Sequence, residues 1–136
     1  MRFTLIDKVL EQDDERIVAV KNVSSAEEYL DDHFPSFPVL PGVMMLETMV
    51  QAARTLIRSV DGPPKTGNLV IAEVKNLRYA AMVRPGQALQ VEVTLRKRGE
   101  NGDLEFQGTG TVEGEVAVQG RFRLSPLVPL NPSVGP

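Results

Sequence analysis

The chain has 136 residues, 42% of them hydrophobic and 24% charged, the size and balance of one globular domain that buries a real core. A net charge of −3 leaves no electrostatic footprint for nucleic acid, and no apolar run reaches the length of a membrane span. With no cysteine and a single histidine, disulfides, thiolate zinc sites, cysteine nucleophiles and multi-histidine metal sites are excluded. Met1-Arg2-Phe3-Thr4 opens without an apolar signal core, so a cytoplasmic domain is expected, and any imidazole chemistry belongs to His33.

Phe3 to Glu11 and Arg16 to Val23 read as two strands around the acidic turn Gln12-Asp13-Asp14-Glu15. Ser24 with Glu27 makes a capping box and predicts a short helix through Leu30. A loop with prolines at 35, 38 and 41 follows. Val43 to Val60 contains neither Gly nor Pro and predicts one long helix. Glu47, Gln51, Arg54 and Arg58 fall on one face of it, and the other faces are largely apolar. Asp61 to Gly67 is a loop, and Leu69 to Lys75 is apolar and β-branched. Leu89, Val91, Val93 and Leu95 alternate with polar residues as in a strand covered on one face. Arg98 to Asp103 is a hairpin loop, Leu104 to Val112 the return strand, and Glu113-Gly114 a tight turn. Val116, Val118, Phe122 and Leu124 are expected to line one face of a last strand. Residues 1–124 form one domain, and the proline-rich tail, 125–136, is expected to be a surface strap or disordered. Successive hairpins with one long apolar helix predict an α+β fold of two layers.

The informative segment is HFPSFPVLPG, residues 33–42, leading into the long helix. Three prolines stiffen a loop that ends at a helix N-terminus. Gly42 offers an unpaired N–H with no side chain in the way, which suits a carbonyl oxygen or an anion. His33 before the helix and Glu47 on it are a candidate base and acid. Each residue also has a plainer account. His33 can be a packing residue, and Glu47 can be solvated or paired with Arg54 or Gln51. Met44, Met45 and Met49 can be core rather than pocket lining. The proline repeat can be a polyproline-type recognition segment.

Read together, HFPSFPVLPGVMMLETMVQA resembles the signature of the single-hotdog β-hydroxyacyl-acyl-carrier-protein dehydratases of fatty-acid synthesis. His33, Phe34, Pro35, Pro38, Pro41, Gly42, Val43, Glu47 and Gln51 match the family pattern, including the spacing of 14 between His33 and Glu47. Asp7-Lys8-Val9-Leu10, Val20-Lys21-Asn22-Val23 and Pro85-Gly86 agree more loosely. The resemblance implies the hotdog fold, a long central helix wrapped by a curved antiparallel sheet. It implies elimination of water from a (3R)-3-hydroxyacyl thioester on acyl carrier protein, giving a trans-2-enoyl thioester. His33 would take the C2 proton and Glu47 would assist the leaving hydroxyl. Gly42 would supply the oxyanion donor, with Val43, Phe34 and Gln51 as further substrate-binding residues and Gln51 orienting Glu47. No metal or organic cofactor is implied. Each site would be shared between subunits, so a homodimer is the minimum and a trimer of dimers the larger assembly.

The chain departs from the pattern in places. Ser36 stands where the family usually has Gly, and Met82 and Gln87 where it prefers Pro and Asp. The family's short N-terminal helical extension has no counterpart before the first strand. These changes bear on acyl length and carrier docking. Lys75, Arg78, Arg84 and Arg96 to Arg98 are candidates for docking the acidic carrier, or simply a solvated edge. A hotdog thioesterase or hydratase, or a non-catalytic acyl-binding subunit, is the alternative function. The resemblance also implies a cis peptide at His33-Phe34.

Overall fold

The computed structural model describes residues 5–24, 40–62 and 68–127. Residues 25–30 of the predicted helix, the loop with His33, Phe34 and the His33-Phe34 peptide, and the tail beyond Leu127 lie outside these. Six strands form one antiparallel sheet: β1 (Lys8–Gln12), β2 (Arg16–Asn22), β3 (Leu69–Tyr79), β4 (Ala88–Arg98), β5 (Leu104–Val112) and β6 (Glu115–Pro126). Their spatial order is β1-β2-β4-β5-β6-β3. The helix α1 (Gly42–Asp61) lies between β2 and β3 in the chain and packs on the sheet.

Alternation makes the core. On β4, Leu89, Val91 and Val93 are fully buried and the residues between them face outward; on β5, Leu104, Phe106 and Val112 turn inward. Phe106 stacks on Phe122 of β6 with ring centroids 5.4 Å apart. Against this face α1 buries Met45, Met49, Val50, Ala52, Ala53, Leu56 and Ile57. Each large apolar side chain removed from water there contributes about 1.5–3 kcal/mol. Thr48 is also buried, and its hydroxyl donates to the Met44 carbonyl at 2.7 Å, which removes the cost of an unpaired polar group.

Three strand boundaries and one strand face differ from the sequence reading. β1 starts at Lys8 rather than Phe3, because Leu5 gives its N–H to a helix side chain and pairing with β2 begins with Asp7 N–H to the Val20 carbonyl. β3 continues to Tyr79 through two register shifts, with Asn76 in the left-handed region at φ 54°. β6 runs to Pro126, past the predicted end of the domain at residue 124. Val116 is 42% exposed and Ala117 is buried instead, because a register shift at Gly110/Thr111 turns the strand by one residue there.

Candidate active site

Both ends of the His33-bearing segment are fixed to one turn. Gln87 N–H donates to the Arg84 carbonyl at 3.0 Å, with Pro85 and then Gly86 at φ 90° as central residues. That is a type II turn, and its third residue needs glycine's freedom. Gly86 N–H donates to the Val23 carbonyl, and Val23 N–H to the Gln87 carbonyl. Just before the helix, Leu40 N–H donates to the Val83 carbonyl at 2.7 Å. The short stretch 83–87 therefore holds the chain where it enters the loop and where it leaves.

The helix starts without a side-chain cap or an acidic residue in its first turn. The Pro41 carbonyl accepts from Met44 and Met45 N–H, which leaves Gly42 and Val43 N–H as the open donors of the first turn among the described residues. The Tyr79 ring lies over Gly42 so closely that a Cβ there would sit 2.9 Å from Cζ. Partial burial pushes the Tyr79 phenol above its ordinary value, although the residue is still 48% exposed. Tyr79 did not emerge from the sequence. Its one signal is that Gly42 needs a neighbour to explain the missing side chain.

Glu47 is half-buried, about 7 Å along the axis from Gly42. Arg54 Nη1 meets Glu47 Oε1 at 3.3 Å. Gln51 instead accepts the Leu5 N–H on its Oε1 at 2.8 Å, and Glu47's side-chain partner among the described residues is Arg54. Arg54 also donates from Nε to the Leu69 carbonyl at 2.9 Å. The stripe is thus tied by Gln51 to the lead into β1 and by Arg54 to the first residue of β3. Val43 is 65% exposed at the N-terminal end of α1.

The family model for a FabA-like domain matches residues 1–121. A 3-hydroxyacyl-[acyl-carrier-protein] dehydratase FabZ of Rickettsia massiliae is 35% identical over 121 residues, covering 88% of this chain and 83% of the relative. The chain belongs to the hotdog β-hydroxyacyl-acyl-carrier-protein dehydratase family. The FabZ dehydratase of Rickettsia felis, 36% identical, covers the same shares. Among solved structures, a chain of the dehydratase heterocomplex ApeI:P from Xenorhabdus doucetiae has a TM-score of 0.74 at 20% identity, covering 96% of this chain and 85% of that one. Smu.793 of Streptococcus mutans, bound to acetyl CoA, has a TM-score of 0.70 at 12% identity, covering 96% and 95%. These two likenesses carry the hotdog fold.

Of the residues that match the dehydratase signature, Gly42, Val43, Glu47 and Gln51 sit on the first turns of α1; His33 and Phe34 lie outside the described residues. Among the docking candidates, Arg98 pairs with Asp61 at 3.0 Å and Lys75 with Glu73 at 3.4 Å. A cleft across β3, β4, β5 and β6 is lined by Glu73, Lys75, Arg96, Glu105, Arg121 and Arg123, together with Phe106 and Phe122. At about 90 Å³ it is far smaller than a pocket for an organic ligand. No helix among the described residues is long and apolar enough to cross a membrane.

Proposed function

We propose that this enzyme eliminates water from (3R)-3-hydroxyacyl thioesters carried on acyl carrier protein, giving trans-2-enoyl thioesters for fatty-acid or related lipid synthesis in the cytoplasm. The observation that carries the reading is the helix part of the family signature: open N–H donors at Gly42 and Val43, with the Glu47 carboxylate just over one turn further on. Neutral His33 takes the C2 proton. The thioester oxygen gains charge as that bond breaks, and Gly42 N–H stabilises it; one such donor is worth about 3 kcal/mol. The electron pair forms the C2=C3 bond, hydroxide departs from C3, and Glu47 assists it by proton or by a polarised water. Residue chemistry suffices for every step.

The same geometry supports a dimer with shared sites. β3 is an edge strand of 11 residues with Ile71, Val74 and Tyr79 exposed, and Met82 exposed just beyond it. An open edge of this length, with these apolar side chains exposed among Glu73, Lys75 and Arg78, fits a second copy pairing edge to edge. Glu47 is tied to that edge through Arg54 and Leu69, so a partner pairing there would lie beside it. Basic residues around β3 and the turn at 84 would meet the acidic carrier.

A panel of hydroxyacyl thioesters from C4 to C16, on carrier protein and on coenzyme A, tests the reaction by enoyl absorbance. Turnover with preference for the carrier is expected. Hydrolysis to free thiol without enoyl product would support the thioesterase alternative, and tight acyl binding with no turnover the non-catalytic one.

A further inference from the structure

Arg54 does something the family signature leaves unexplained. Its guanidinium joins Glu47 to a backbone carbonyl on another element. That carbonyl is available for a geometric reason. Leu127 N–H donates to the Asn68 carbonyl at 2.9 Å, so residues 68 and 127 form the bonded pair. Alternate residues of an antiparallel strand point opposite ways, so Leu69, opposite Pro126, turns its carbonyl away from β6 to the open edge. Arg54 Nε takes it there. A planar fork held at one end presents its other nitrogens in a fixed direction. Nη1 is aimed at Glu47 Oε1.

The pair is not a buried bridge. Both side chains are 35% exposed, where an ion pair adds little to stability. Its effect falls on orientation. A free glutamate on a helix surface samples several rotamers, and only some face a bound hydroxyl. We propose that Arg54 is a positioning residue for Glu47: clamped to the Leu69 carbonyl at the edge of β3, it holds Oε1 and leaves Oε2 for the departing hydroxyl. The inference rests on the reading that Glu47 assists that departure.

The test uses the full chain and a hydroxyacyl-carrier substrate. Arg54→Met is expected to lower kcat by about tenfold or more and to leave KM within about threefold, because the carboxylate and not the acyl chain has lost its hold. Arg54→Lys keeps the charge but not the two-point fork, and its kcat is expected to fall between. The decisive readout is the double variant. In a Glu47→Gln background, Arg54→Met is expected to cost less than about twofold more, since an effect passed through Glu47 has nothing left to act on. Wild-type kcat in Arg54→Met overturns the inference, and so does a fully multiplicative loss in the double variant. Normal turnover by Glu47→Gln alone overturns the assignment of Glu47 and the inference with it. Should Arg54→Met fail to fold, Arg54→Lys in both backgrounds carries the same comparison.

Discussion

At one edge of the sheet, β1 is five residues long, broken by a register shift between Val9 and Glu11, and bordered by the ion pairs of Arg16 with Glu11 and Glu92. At the other edge, β3 runs 11 residues with Ile71 and Val74 exposed, and its first carbonyl is held by a side chain from the helix stripe that carries Glu47. A five-residue edge offers little to further pairing, whereas an 11-residue one invites it. Under the proposed dimer, the short edge ends the sheet and the long one receives the second copy. The proposed chemistry lies on the long-edge side.

The largest effects are expected from the acid and base. His33→Ala is expected to remove nearly all dehydration, since the chain has no other histidine to substitute. Glu47→Gln keeps shape and hydrogen bonding but not the transferable proton, and is expected to cost about 10²-fold or more in kcat. The double variant is expected to be little worse than the worse single one, because the two groups act as a unit. Steady-state kinetics by enoyl absorbance checks all three.

Next comes the edge itself. Val74→Lys places a charge on β3 and is expected to yield monomers with most turnover lost; Leu10→Lys on β1 is expected to change neither. Sedimentation with parallel assays reads the contrast. Equal behaviour of the two variants would remove the distinction between the edges.

Gly42→Ala is a smaller change. The added methyl meets the Tyr79 ring at 2.9 Å, so ring or helix must shift. A loss of about 1–3 kcal/mol in stability is expected from the overpacking. A fall in kcat is expected with it, since the donor N–H moves. Tyr79→Ala in the same chain removes the clash and is expected to recover part of both stability and kcat, as read by thermal melts and kinetics.

The smallest effects belong to the β1 side. Hydrogen bonding to Arg16 holds the Glu92 carboxyl below its ordinary value of 4.5. A lowered carboxylate contributes stability above its unfolded value and loses it as pH falls through the folded one. Acid melts of Arg16→Met are therefore expected to lose less stability below about pH 4.5 than wild type, with turnover unchanged. The exposure of both partners keeps this difference small.

Much of this architecture was legible in the residues. The alternation of Leu89, Val91 and Val93 and the absence of breakers after Gly42 located β4 and α1 to within a residue or two, because both patterns are local. The register shifts were not legible. Nothing in Lys75-Asn76-Leu77-Arg78 announces that the strand continues through a left-handed Asn76, and the exposed Val116 follows from a pairing choice made with β5. The candidate site divides the same way. Gly42, Val43, Glu47 and Gln51 came from spacing and family resemblance. Tyr79 over Gly42 and Arg54 on Leu69 came only from the fold, since each contact joins the helix to a distant strand.

The central claim is that one site draws His33 and Glu47 from two subunits. Co-expressing His33→Ala and Glu47→Gln chains, each inactive alone, tests it most directly. A heterodimer would hold one site with both groups and one with neither. Random pairing of independent sites predicts recovery toward about a quarter of wild-type turnover. Verified heterodimers with no recovered turnover would contradict the shared site.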